Sequence, residues 1–169
     1  PLLNRDLDYI LWCDSDITIP PDLVTQLIAA NVDVVAPAVF LGGMFYDTWG
    51  YRDPDGVRFR NAPPYHDAFH PHGLMEMSSV GCVVLFRKTI FDSGIRFRGE
   101  YENGLLVGVS QDARRKGFRV CVDTRVAVIH PTTLWQAQQY KLGDVVVRSA
   151  APPAAWFDLV REITTMTTP

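Results

Sequence analysis

Apolar residues in this chain gather in short unbroken runs separated by polar loops. The first run is Tyr9-Ile10-Leu11-Trp12-Cys13. A run of that length without alternation predicts a strand buried on both faces, as in a parallel sheet. Pro20-Pro21-Asp22 follows after a short loop. Proline is tolerated in a first helical turn, and an acid suits the positive end of the helix dipole. Leu23, Val24, Leu27 and Ile28 then supply an apolar stripe, which predicts a helix over about residues 21–30. Residues 33–39 form a second apolar run. Strand, helix, strand at these lengths reads as a βαβ unit with two parallel strands.

Residues 40–73 break the pattern with paired glycines, the turn Asp53-Pro54-Asp55-Gly56, Pro63-Pro64 and three histidines. Loops of this length are usually functional or mobile, and a short hairpin is expected near Val57 to Phe59. Strand character returns over 75–86, interrupted by Gly81. A short helix over 88–92 stops at Gly94, a C-cap residue type. After a loop over 96–108, Ser110 reads as an N-cap, with Gln111 and Asp112 in the first turn and Lys116-Gly117 at the end. Residues 119–123 and 127–129 give two more strands. Helices are expected over 135–142 and, as an amphipathic tail, within 151–169. The whole predicts an α/β domain over residues 1–150 with a helical tail over 151–169.

With 169 residues, 47% hydrophobic and 21% charged, the chain can bury a real core. A formal net charge of −3 gives no reason to expect nucleic-acid binding. No apolar run approaches the roughly 20 residues of a membrane span. Cys13, Cys82 and Cys121 are sparse, odd in number and set in apolar runs, which predicts reduced core thiols.

Candidate chemistry begins at Asp14-Ser15-Asp16. The same spacing recurs at Asp6-Leu7-Asp8 and Asp53-Pro54-Asp55, but only Asp14 and Asp16 follow a buried strand and precede a helix. They are therefore expected at the C-terminal edge of a sheet, where open α/β sheets bind ligands. Two carboxylates so placed suit a hard divalent cation, Mg²⁺ or Mn²⁺, and such a cation can carry a diphosphate. His130 ends the run Val126-Ala127-Val128-Ile129 and offers a third ligand that Mn²⁺ tolerates; alone, it reads more readily as a strand-end residue, and its placement among the other motifs brings the two readings level. Asp112 is a candidate proton acceptor, although acids also favour first turns for dipole reasons. His66, His70 and His72 read as a solvated loop, because Pro71 breaks any helical alignment.

The order of these segments resembles a known group. Ile10 to Asp16, Asp33-Val34-Val35-Ala36-Pro37, Phe45-Tyr46-Asp47-Thr48-Trp49-Gly50-Tyr51-Arg52, Ser79 to Arg87, Gln111-Asp112, Gly117 and Val128-Ile129-His130 together look like the metal-binding and acceptor half of a GT-A glycosyltransferase. The resemblance is to fungal mannan-polymerase and capsule-associated mannosyltransferases, and to family-two enzymes, over roughly residues 8–133. It implies a GT-A mixed sheet flanked by helices. It also implies an N-terminally truncated domain, because the strands that hold the nucleotide base are missing before Leu7. By resemblance, Asp14, Asp16 and His130 would bind Mn²⁺ or Mg²⁺, and Gly81 would pass close to the donor sugar. Asp47, Trp49 and Arg52 would lie near the sugar pocket. Asp112 would match the acid of a Glu-Asp pair, the base of inverting members. Gln111 stands where that pair has Glu, and mannan-polymerase-type enzymes retain configuration, so stereochemistry stays open. The implied donor is GDP-mannose or a UDP-sugar, and the acceptor a glycan, lipid or protein. An inactive remnant or non-catalytic subunit is the second reading, and a metal-dependent hydrolase the third. The compartment stays open between cytoplasm and a membrane-associated location, with the Golgi lumen implied for a fungal-type enzyme.

Overall fold

The computed structural model describes residues 6–41, 44–70 and 73–130. They form an α/β fold around a mixed six-stranded sheet. The strands are β1 (Tyr9–Cys13), β2 (Val34–Leu41), β3 (Met44–Phe45), β4 (Leu74–Glu76), β5 (Val83–Arg87) and β6 (Val120–Ile129), and the helices are α1 (Leu23–Ala29), α2 (Lys88–Asp92) and α3 (Leu105–Arg115). The expected helices and tail beyond residue 130 lie outside the described residues.

The sheet runs β1-β5-β2-β6-β4, with β3 folded back on β2. All eight residues of β2 are buried, as its unbroken Val, Ala and Phe content requires of a strand near the sheet centre. β1 and β2 point the same way but do not touch: β5 runs antiparallel between them and pairs with both. The adjacent parallel pair is instead β2 with β6. A strand–helix–strand run fixes direction, and it leaves open which later strand inserts between the two. α1 packs against β2, β5 and β6 through Leu23 and Leu27, both fully buried.

Two further expectations change. The strands expected at 119–123 and 127–129 are one strand, β6, whose pairing with β2 shifts register between Pro37 and Ala38. The irregularity takes up Thr124, Arg125 and Val126, and the polar Asp123 and Thr124 there had read as a break. α3 starts at Leu105 behind Gly104, not at Gln111. Gly104 sits at φ 91, a conformation open to glycine, and the helix then buries Val107, Val109 and Ala113. Ser110 is mid-helix and buried, and Asp112 belongs to the helix's second half. α2 ends as expected, with Gly94 at φ 95 just beyond the cap.

The 44–70 excursion is a packed lobe. Phe45 meets Phe40, Tyr51, Phe59, Tyr65 and Phe69 in a cluster of tilted and edge-on rings. Such pairs add about 0.5–1.5 kcal/mol each beyond burial, which explains how a segment with almost no ladder pairing holds its shape. The hairpin expected near Val57 is a single bridge, Arg52 to Arg58. The Asp53–Gly56 turn is present, with Asp53 Oδ1 accepting from the Asp55 and Val57 amides at 2.9 and 2.8 Å.

Candidate functional site

β1, β2 and β6 run in one direction, so their C-terminal ends share one edge of the sheet. The loop after β1 crosses that edge: the Thr18 amide donates to the Ile129 carbonyl at 2.9 Å, and the His130 amide donates to Phe40 at 2.8 Å. This crossing brings Asp16 to His130. Asp16 Oδ2 lies 3.3 Å from His130 Nε2. The imidazole is buried at 2% exposure and lies against the Tyr46 ring, centroid to centroid 3.9 Å.

Asp14 faces a neighbouring hollow. Its Oδ1 accepts from the Trp12 indole at 3.1 Å, and its amide donates to the Cys82 carbonyl at 3.0 Å. The hollow has a volume of about 510 Å³, and Asp14, Asp47, Trp49, Gly50, Gly81 and Cys82 are among the residues that line it. Four residues singled out in the sequence thus share one cavity. Among the described residues, no group of three or more His, Cys, Asp or Glu side chains is arranged to hold a metal ion. Of the expected trio, Asp16 and His130 are together as a pair. One carboxylate and one imidazole are ligand types that Mn²⁺ accepts.

Asp47 is held in an unusual way. Its φ of 48 is left-handed, which Asp tolerates better than most residues. Oδ1 accepts from the Gly50 amide at 2.9 Å, and Oδ2 accepts from the Cys82 thiol at 3.3 Å. Cys82 is itself left-handed, at φ 60. A Cβ on Gly50 would lie 2.4 Å from Asp47 Oδ2, and one on Gly81 only 1.8 Å away. Both glycines are thereby explained: they open the recess that the carboxylate fills. Burial raises the Asp47 pKa, and the Asp14 charge adds to it against the lowering effect of its two hydrogen bonds. Burial, with Asp47 beside it, pushes the Cys82 thiol far up, so that sulfur stays protonated and donates. Below them Tyr51, fully buried, donates to Pro37 at 2.7 Å and to Gly81 at 3.2 Å, fixing the glycine's backbone to β2.

Trp49 is 48% exposed at the rim. Its indole donates to the Asn103 carbonyl at 2.9 Å, and the Arg58 guanidinium lies 3.9 Å from its ring centre. Arg52 donates to the Trp49 carbonyl at 3.1 Å and reaches Asn103 Oδ1 at 3.4 Å. Arg52 therefore braces the rim, while Trp49 also faces the hollow.

Asp112 lies elsewhere, in a second hollow with Gly94, Ile95, Arg98, Arg115 and Lys116. One of its oxygens accepts from the Tyr101 hydroxyl and the other pairs with Arg115. The histidine loop also differs from expectation. His66 is 7% exposed, stacked on Phe59, and 3.2 Å from Asp53. Its Nδ1 accepts from the Ala68 amide at 3.1 Å, which leaves Nε2 as the donor to Asp53. His70 is exposed, and His72 is outside the described residues.

Sequence reasoning did not find the Asp47–Cys82 contact or the His66–Asp53 pair. Gly50 and Gly81 were the available signal for the first, since each marks a close approach. No helix among the described residues is long and apolar enough to cross a membrane. No protein-family model matches the chain, and no curated protein matches it either.

Proposed function

We propose that this chain is a metal-dependent glycosyltransferase of the GT-A type, moving a sugar, with mannose favoured, from a nucleotide-diphosphate donor to a glycan, lipid or protein acceptor. The observation that carries this reading is the convergence of Asp16 and His130, 3.3 Å apart, beside a hollow of about 510 Å³ lined by Asp14 and Asp47. All of them sit at the edge where co-directional strands end, the place where open α/β sheets bind nucleotides.

Asp16 and His130 would hold Mn²⁺ or Mg²⁺. A divalent ion there supplies charge stabilisation to a departing diphosphate. The chain's own residues bind and orient. Trp12 fixes the Asp14 carboxylate, Tyr46 fixes the His130 ring, and the Trp49–Asn103 bond closes one wall of the hollow. The hollow is of a size that takes a hexose.

The test is calorimetry of GDP-mannose and UDP-sugars with Mn²⁺ present, followed by transfer assays on the same donors. Binding that needs Mn²⁺ and is lost in Asp16→Ala is the expected result. A folded protein that binds no nucleotide sugar with or without Mn²⁺ overturns the reading. An inactive remnant is the second reading, favoured by the ligand pair standing in place of a trio. It predicts donor binding without turnover.

A further inference from the structure

We propose that Asp47 is the general base of this site, the group that takes the proton from the acceptor hydroxyl. The inference rests on the sugar-transfer reading above and adds a residue role to it.

Position is the first argument. Asp47 lines the same hollow as Asp14, with the exposed edge of Trp49 beside it. The other acids near the sheet edge are engaged differently: Asp16 meets His130, and Asp14 is tied to the Trp12 indole. Asp112 opens to a separate hollow and is committed to Tyr101 and Arg115.

The second argument is how the carboxylate is held. Each oxygen accepts one hydrogen bond, from the Gly50 amide or from the Cys82 thiol. A carboxylate offers about four lone-pair sites, so each oxygen keeps one for a proton. Neither partner is a cation, so neither suppresses basicity as a guanidinium would. Two non-glycine residues, Asp47 and Cys82, take left-handed backbone conformations so that their side chains meet. Gly50 and Gly81 leave the carboxylate its space. Strained backbone of this kind gathers at functional sites, because local folding alone gives no reason to keep it. Burial and the Asp14 charge raise the carboxyl's pKa, which makes it a stronger proton acceptor than an exposed aspartate.

The step balances within donor and acceptor. The acceptor O–H bond breaks and its proton passes to the Asp47 carboxylate. The oxygen's electron pair forms the new bond to the anomeric carbon. The anomeric carbon's bond to the diphosphate oxygen breaks, and that pair leaves on the diphosphate. Asp47 then returns its proton to solvent. One displacement inverts the anomeric centre.

The experiment assays the wild-type chain, Asp47→Asn, Asp47→Gly and Asp112→Asn with GDP-mannose, methyl α-mannoside and Mn²⁺. Asparagine keeps the shape and tolerates the left-handed backbone; glycine removes the carboxylate without strain. Asp47→Asn is expected to lower kcat by about 10²–10⁴-fold while GDP-mannose Kd by calorimetry stays within about threefold. Added formate is expected to restore turnover in Asp47→Gly and to leave the wild type unchanged, a rescue that a packing role does not produce. The product is expected as the inverted anomer by NMR. If Asp47→Asn does not fold, formate on Asp47→Gly decides. Wild-type turnover in Asp47→Asn, loss of turnover only in Asp112→Asn, absence of formate rescue, or a retained anomer overturns the assignment to Asp47 and leaves sugar transfer standing. Absence of transfer by the wild type from GDP-mannose and from UDP-sugars alike overturns both.

Discussion

The Tyr101 hydroxyl donates to Asp112, while the Tyr101 ring lies across Gly108, one turn earlier on the same helix. A Cβ on Gly108 would meet that ring at 2.1 Å. The pair staples the loop before α3 to the helix, and two residues beyond the staple Asn103 holds Trp49 at the rim of the hollow. Tyr101→Phe is expected to lower unfolding free energy by about 1 kcal/mol, the usual net worth of one such hydrogen bond at a partly exposed site. Gly108→Ala is expected to cost more, about 1–3 kcal/mol, because the ring must leave its seat. Urea denaturation of both variants checks the order.

Gly81 makes room for Asp47, so the two positions should be energetically coupled. Gly81→Ala alone is expected to destabilise by about 1–3 kcal/mol. In an Asp47→Gly background the carboxylate is gone, and the nearest remaining obstacle is the Gly50 Cα at 3.3 Å. The same alanine should then cost less, giving a double-mutant coupling of about 0.5–3 kcal/mol. Additive losses in denaturant melts would contradict the recess described for the site.

Asp47 also makes stability depend on pH. The groups around it are Asp14, Cys82 and Tyr51. Its pKa is raised by folding, so folding disfavours its charged form relative to the unfolded chain. Its contribution is full below the ordinary carboxylate range and is lost as pH climbs through the raised value. Asp47→Asn removes that penalty. The Tm advantage of the variant over the wild type should therefore grow between about pH 3.5 and pH 7. A constant difference across that range, by calorimetric scanning, would show that the carboxyl titrates normally.

Tyr101 provides an independent titration. Burial, then its bond to Asp112, pushes its hydroxyl up to about 12. The stability this bond gives is present below the ordinary tyrosine range, about pH 10, and is lost as pH rises towards the raised value. Ultraviolet titration at alkaline pH should show Tyr101 ionising late in the wild type, together with Tyr51 and Tyr65, whose hydroxyls burial also pushes up. In Tyr101→Phe the late-ionising component should be smaller by one tyrosine.

Removal of divalent ions tests the Asp16–His130 pair directly. Chelation is expected to lower GDP-mannose transfer by about 10²-fold or more, with Mn²⁺ restoring it. His130→Ala should weaken Mn²⁺ affinity by about 10–100-fold. Because His130 is buried against Tyr46, the melting temperature of the variant is measured alongside, and His130→Gln should keep the packing while still weakening the ion.

Much of the fold was legible where hydrophobic period and punctuation agree. β2, α1, the α2–Gly94 stop and the span of β1 follow from apolar runs, prolines and glycine. In the described sheet, however, β1 is a half-buried edge strand paired antiparallel with β5, not the doubly buried parallel strand its apolar run predicts. The start of α3 is not legible, because Ser110 has the chemistry of a cap while its environment is a buried helix face. The apolar run from Leu105 to Val109 carries no polar signal of its own, and Gly104 looked like one more loop glycine. The Asp16–His130 meeting was legible from strand ends. The Asp47–Cys82 meeting was not, since backbone sign at residues 47 and 82 leaves no trace in residue type. From sequence His66 reads as solvated, because its partner Asp53 and its platform Phe59 come from a loop whose packing no periodicity encodes.

The insertion of β5 between β1 and β2 also governs the order of assembly. In the described sheet β1 pairs only with β5, seventy or more positions later in the sequence. Within the described residues, β1 therefore meets its partner only once residues 83–87 emerge. Ladders that join distant stretches close slowly and leave sticky intermediates behind. Nascent chains of this protein arrested before residue 83 should be clients for chaperones, whereas those arrested past β5 should begin to resist protease.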